Sequence, residues 1–267
     1  MSRGDSEPTE PESGMRATLT ALRVLETVAE LQPAGVTAIA QAAGIPKSSA
    51  QRCLHALREA GWLAPGHADR ARWVLTGKAL TVGLRASGDV GLREAARPTM
   101  QWLRDETRET IHLSNYGGRS QRVTESLVIV DRLDGTQPVR TWVRLGTRVP
   151  LHASASGRAV LAALPDDEIE SLLADPLERY SAKTLATLDD VLADLAAVRE
   201  RGYSTVDNGW RHGVGAVAAA LLDAASRPIG ALAISVPEQR YDDERAGELG
   251  PRAVAAAREI SGTLDPS

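Results

Sequence analysis

The sequence predicts an α+β protein of two modules, a short winged helix-turn-helix followed by a larger domain of helices on an antiparallel sheet. Three observations carry this. Apolar residues recur at helical spacing between Leu22 and Leu57 and are interrupted only at glycines and prolines. From Thr110 the spacing turns strand-like. The charge also changes sign along the chain: residues 14–88 hold nine Lys/Arg against four acids, whereas residues 91–267 hold 21 against 26.

Composition narrows the class. With 43% hydrophobic residues in 267, the chain has enough apolar material for real cores. No run of about eighteen apolar residues is present to span a membrane. The N-terminus lacks the apolar stretch of a signal peptide, and Cys53 is the sole cysteine, so a cytoplasmic protein without an intramolecular disulfide is expected. Phe is absent, which leaves Leu, Val, Ile and Ala to build the cores.

Residues 1–14 read as a disordered leader, rich in Pro, Glu, Ser and Gly. A helix with Leu22, Leu25, Val28 and Ala29 on one face follows, and Pro33 and Gly35 stop it. A second helix opens at Thr37, a candidate N-cap, and closes at Gly44. Pro46 suits the first turn of a third, in which Ala50, Cys53, Leu54 and Leu57 form one stripe before Gly61.

The opposite face of that third helix carries Lys47, Ser48, Ser49, Gln51, Arg52 and His55. Hydroxyl, amide and guanidinium groups are those that bond to base edges and phosphates in a major groove, so double-stranded DNA is the expected partner. Ser48, Ser49, Gln51 and Arg52 are placed toward the bases and Lys47 toward the phosphates. The plainer alternative, a merely solvated face, more often carries Glu/Lys pairs four apart. Residues 62–64 and 72–75 then read as a hairpin, a wing whose Arg70 and Arg72 would lie beside the DNA backbone. An ordinary surface hairpin fits the same residues.

Helices are expected over 76–86 and 92–107, with a glycine-containing break over 87–91. Strands are expected over 110–116, 127–131 and 138–143, with a polar connection over 117–126. Helices follow over 154–163, 166–174 and 187–200, the last opened by Thr187 and closed by Gly202. Strands over 203–206, 213–222 and 229–236 precede a final helix over 242–263. The domains are therefore placed as 1–14 leader, 15–76 winged helix-turn-helix, 77–91 linker helix and 92–267 second domain.

His152, Ser154, Ser156 and Asp207 raise the possibility of a hydrolase, but Ala153-Ser154-Ala155-Ser156-Gly157 lacks the first glycine of a nucleophile elbow. The hydroxyls open a helix, where free N–H groups favour an anion such as a ligand carboxylate. Ser154 serves equally well as a plain N-cap. The five histidines are scattered with no two at i, i+4, and Gly77-Lys78 lacks the rest of a phosphate loop. No catalytic residue, metal or cofactor is assigned.

Taken together, Ala21-Leu22-Arg23-Val24-Leu25, Gly44-Ile45-Pro46-Lys47-Ser48-Ser49, Arg52-Cys53-Leu54 and Ala60-Gly61-Trp62-Leu63 resemble the winged helix of IclR-type bacterial transcriptional regulators. Downstream, the run from Arg144-Leu145-Gly146-Thr147 to Ser156-Gly157-Arg158-Ala159, then Leu161-Ala162-Ala163-Leu164-Pro165 and Arg201-Gly202-Tyr203, resembles that family's C-terminal domain in order and spacing. The resemblance implies a GAF-like effector-binding domain, a small organic acid as effector, and a homodimer or dimer of dimers on a pseudo-palindromic operator. It also implies an effector cavity formed by Ala155, Ser156, Asp207, Val214, Ala216, Ala233 and Ser235. Ala216 stands where the family frequently has cysteine, and Trp210, Arg211 and His212 stand where smaller or acidic groups are usual. That rim points to an aromatic or larger organic acid, although Trp210 also fits a core or lid position. Two other readings stay open: a hydrolase using His152, Ser154 and Ser156, and a winged helix that binds protein.

Overall fold

The computed structural model describes residues 10–86, 89–116 and 126–264. The chain divides into two units, Met1–Gly88 and Asp89–Ser267.

In the first unit, α1 (Glu10–Leu31) is followed by β1 (Ala34–Gly35), α2 (Val36–Ala42) and α3 (Lys47–Glu59). The hairpin β2 (Leu63–Pro65) and β3 (Arg72–Leu75) precedes α4 (Gly77–Ala86). The end of the expected leader is corrected, because α1 already begins at Glu10; Pro11 falls in its first turn, where a missing N–H costs nothing. Residues 1–9 lie outside the described residues. Thr37 is not the cap of α2. Gly35, held in the ladder opposite Arg72, stands at the N-cap and the helix starts directly from the strand.

Both turns around α3 close alike. Gly44 (φ +64°) and Gly61 (φ +79°) adopt left-handed backbone. The next N–H in each case reaches back across the helix end, Ile45 to Ala40 at 3.0 Å and Trp62 to Leu57 at 2.8 Å. Val24, Val28, Ile39, Leu54, Leu57 and Leu63 meet in the core under these turns. The strand order β1-β3-β2 lays the hairpin beside this core.

The second unit opens with α5 (Asp89–Thr107), so Gly91, expected in a break, lies inside a helix. The strands are β4 (Thr110–Asn115), β5 (Ser126–Leu133), β6 (Arg148–Pro150), β7 (Ser204–Asp207), β8 (Val214–Leu222) and β9 (Pro228–Pro237). They form one antiparallel sheet in the order β6-β5-β4-β9-β8-β7. The helices are α6 (Ala155–Ala162), α7 (Asp166–Leu172), α8 (Leu188–Arg201) and α9 (Asp243–Leu264). The connection expected over 117–126 lies outside the described residues, apart from Ser126 at the start of β5.

The strand expected over 138–143 does not form, and the short β6 takes its place beside β5. Pro138 has no N–H for a ladder. Carbonyls of this stretch are instead met by side chains: Thr110 Oγ1 donates to Thr141, Arg132 to Val143 and Arg240 to Val139.

The two faces of the sheet differ. Ile111, Leu113, Val217, Leu221, Leu232 and Ile234 point to one side, where α5 and α9 cover them. Their strand neighbours His112, Ser114, Ala216, Ala218, Ala220, Ala231, Ala233 and Ser235 alternate to the other. Against this small-residue face, Ala155 and Ala159 of α6 pack on Ala218 and Ala233. Gly157 lets α6 begin there. A β-carbon on it would stand 2.2 Å from the Leu151 carbonyl oxygen and 2.5 Å from that of Pro150. Gly157→Ala should therefore cost about 2–3 kcal/mol of stability by overpacking, measured by urea unfolding; an unchanged midpoint would contradict this account of the helix start.

Candidate nucleic-acid interface and ligand cavity

On α3, Ala50, Leu54 and Leu57 are buried, which turns Lys47, Ser48, Gln51, Arg52 and His55 outward. Ser49 is half-buried and accepts a hydrogen bond from Arg52 Nη2 at 3.3 Å, so it steadies that guanidinium. Trp73 of β3 meets the His55 ring edge-on at 5.8 Å, which fixes the hairpin to α3. Arg70 at the hairpin tip is exposed. Arg72 is more committed: it donates to the Pro33 carbonyl at 3.1 Å and pairs with Asp69 at 3.4 Å. The arrangement offers donors and positive charge on one helix and one hairpin, the requirements for grasping a polyanion.

The second unit has a cavity of about 280 Å³, open on one side, on the small-residue face of its sheet. Its floor is His112 and Ser114 of β4, Ala216 of β8, and Ala233 and Ser235 of β9. Ala155 and Ser156 close one side, while Val143, Val149, Val206 and Val214 supply apolar wall. Trp142, Trp210, Arg211 and His212, with Ile129, Thr141 and Ser154, complete the lining. Six of the seven residues expected at the cavity thus come together in it: Ala155, Ser156, Val214, Ala216, Ala233 and Ser235.

Asp207 is not among them. It lies exposed at the end of β7, where Lys183 Nζ pairs with it and Asn208 Nδ2 donates to it at 2.8 Å. Those contacts hold its carboxyl below the usual carboxylate range. Asn208 (φ +56°) in turn accepts the Gly213 N–H at 2.6 Å. Asp207 therefore braces the turn that carries Trp210, Arg211 and His212.

The groups behind the hydrolase reading are engaged with backbone. Ser154 Oγ accepts the Gly157 N–H at 2.9 Å and donates to the Pro150 carbonyl at 2.7 Å, the role of an N-cap. His152 Nε2 meets the Glu178 carbonyl at 2.8 Å. Among the described residues no group of three His, Cys, Asp or Glu side chains is placed to hold a metal. No described helix is long and apolar enough to cross a membrane.

Comparison with known proteins accounts for both units. Residues 85–262 match the family model for the bacterial transcriptional regulator IclR C-terminal domain, and residues 19–65 match that for the IclR helix-turn-helix domain. This chain belongs to the IclR family. Relatives in that family include the acetate operon repressor of Salmonella typhimurium, 30% identical over 97% of this chain and 94% of the relative. The transcriptional repressor IclR of Escherichia coli is 30% identical over 95% and 92%. The fold of an IclR homolog from Microbacterium hydrocarbonoxydans, complexed with 4-hydroxybenzoate, superposes with a TM-score of 0.77 at 24% identity, covering 94% of this chain and all of that one. The protein is accordingly a DNA-binding transcriptional regulator with a helix-turn-helix head and an α/β domain built on an antiparallel sheet.

Several cavity residues of this IclR-family chain escape sequence inspection. His112 sits 123 positions from Ser235, yet its Nδ1 lies 3.0 Å from Ser235 Oγ. Its signal was the alternation Ile111-His112-Leu113, which sets it on the face opposite two core residues. Ser114 follows on the same face, whereas Thr141 and Trp142 come from the irregular stretch read as a strand.

Burial, reinforced by the charges of Arg132 and Arg211, pushes the His112 pKa down to about 4 from 6.5. As pH falls from 6.5 toward 4, the unfolded chain takes up a proton that the folded chain refuses. Stability fully present above pH 6.5 is therefore lost across that window, by up to about 3 kcal/mol. His112→Gln should flatten the pH dependence of unfolding between pH 4 and 6.5, measured by urea titration at each pH. An unaltered slope would contradict the buried, uncharged imidazole.

Proposed function

We propose that this protein works in the cytoplasm as an operator-binding regulator whose grip on DNA is set by a small organic acid bound in the second unit. The observation that carries the reading is the ligand-sized cavity, about 280 Å³, in a chain aligned over 97% of its length with an operon repressor. The structural relative that holds 4-hydroxybenzoate supports an organic acid as effector. In this reading residues 15–76 form the DNA-binding domain, α4 (Gly77–Ala86) the linker helix and the unit from Asp89 the effector-binding domain.

Ser48, Gln51 and Arg52 face base edges, Ser49 orients Arg52, Lys47 and Arg70 meet phosphates, and Arg72 steadies the wing as it reaches the backbone. The working form is a homodimer or a dimer of dimers on a pseudo-palindromic site. Exposed Met15, Leu19 and Leu22, at i, i+4 and i+7 on α1, support pairing of two copies. An effector with unequal affinity for two arrangements of the dimer shifts their populations, and with them the spacing of the two reading helices. The role is non-enzymatic: the backbone hydrogen bonds of His152 and Ser154 favour a capping duty over a nucleophilic one.

Arg52→Ala should weaken binding to the cognate operator by about 1–3 kcal/mol and relax discrimination among variant sites. Arg70→Ala should lower the salt slope of binding by about one. Both are read by anisotropy titration over a salt series with a fragment recovered by footprinting the protein's own promoter regions. Ser156→Leu should remove the effector response, seen as loss of ligand-dependent change in the same assay. Full operator affinity in Arg52→Ala would overturn the assignment of α3.

A further inference from the structure

Arg211 lines the cavity, and among the described residues its guanidinium has no ion-pair partner. It is half-buried, and burial draws its pKa below the usual guanidinium value. Its ring neighbour is Trp210, over which the guanidinium stacks at 4.6 Å. The residues lining the cavity include no Asp or Glu. Asp207 at the start of the turn is engaged by Lys183, and Glu238, whose Oε2 lies beside Gly213, forms no ion pair with Arg211. Among the described residues Arg211 has no acidic partner. A cation drawn partly out of water beside apolar wall is costly unless an anion joins it. The planar guanidinium suits a carboxylate, which it meets with two parallel hydrogen bonds.

A second set of unsatisfied groups lines the same cavity. His112 Nε2 and Ser114 Oγ are buried and have no hydrogen-bond partner among the described residues. His112 Nδ1 is occupied by Ser235 Oγ at 3.0 Å, and either hydroxyl or ring nitrogen can be the donor there. Nε2 is consequently an acceptor in one tautomer and a donor in the other. A ligand hydroxyl, which both donates and accepts, satisfies Nε2 in either state. The same cavity is lined by Val143, Val206 and Val214 and by the rings of Trp142 and Trp210. At about 280 Å³ the space lies at the small end of ligand pockets, which run from about 300 to 1,000 Å³. It has room for a single ring.

We infer that Arg211 is the counter-ion for the effector's carboxylate, and that the cavity takes a compact monocarboxylate with a ring-sized apolar body and a hydroxyl received by His112 and Ser114. The inference rests on the regulator reading above and adds the class of ligand and the residue that selects its charge. It places the anion on the 208–213 turn, a different anchor from the start of α6, where Ser154 already occupies the Gly157 N–H.

The test uses the full-length protein and three probes: 4-hydroxybenzoate, its uncharged amide 4-hydroxybenzamide, and benzoate. Binding is followed by calorimetry and by tryptophan fluorescence, since Trp142 and Trp210 line the cavity. The wild-type protein should bind 4-hydroxybenzoate about tenfold or more tightly than either analogue. Arg211→Gln should lower the affinity for the acid to that for the amide while leaving the amide unchanged, and Arg211→Lys should fall between. His112→Ala should bring 4-hydroxybenzoate down to the level of benzoate. A merely structural role for Arg211 would weaken acid and amide equally and would overturn the inference. So would equal binding of acid and amide by the wild type, or no binding of the acid at millimolar concentration. Operator binding measured on the same preparation tests the regulator reading by itself: a protein that holds its operator but ignores all three probes refutes the ligand class alone.

Discussion

The second unit depends on a sheet whose two faces are filled by different volumes of side chain. Along β8 and β9 nearly every residue is apolar, yet large and small ones alternate. The large members lock onto α5 and α9 and supply most of the area removed from water on that side. The alanines opposite permit α6 to approach closely, and beside the start of α6 they leave space that no side chain fills. A cavity of this kind is tolerable because the other face carries the stability.

That space is given chemical character by what surrounds it. The 208–213 turn is braced from outside by Lys183, Asp207 and Asn208, and it holds Arg211, stacked over Trp210, at the cavity. The floor contributes groups of the opposite kind, an imidazole kept uncharged by burial and held by the Ser235 hydroxyl, with the Ser114 hydroxyl beside it. The first unit solves a different problem with the same economy: two glycine-closed helix ends set α3 with its apolar stripe inward, and the polar groups face solvent as a consequence.

Much of this was legible in the sequence wherever a residue type has one physical use. Gly44, Gly61 and Gly202 end helices because left-handed backbone suits glycine, and Thr187 caps α8 through the Asp190 N–H. The stripe of α3 follows from periodicity alone. Reading failed where tertiary partners replace local ones. The stretch over 138–143 has strand-forming residues, but its carbonyls are met by side chains from β4, β5 and the turn before α9. Thr37 lost its cap role to a ladder contact made 37 residues away in sequence, between Gly35 and Arg72. The cavity floor was half hidden because alternation between Val and Ala does not register as alternation between apolar and polar. Asp207 was placed by analogy in the wall, whereas its carboxylate points to the supports of the turn.

Division of labour between the faces of one sheet has an evolutionary corollary. Exchanging Ala216 or Ala233 for a bulkier or polar residue alters the recess without touching Val217, Ile234 or the helices behind them. Descendants of such a scaffold can retune which metabolite they sense through single codon changes, while the half of the domain responsible for remaining folded is left intact.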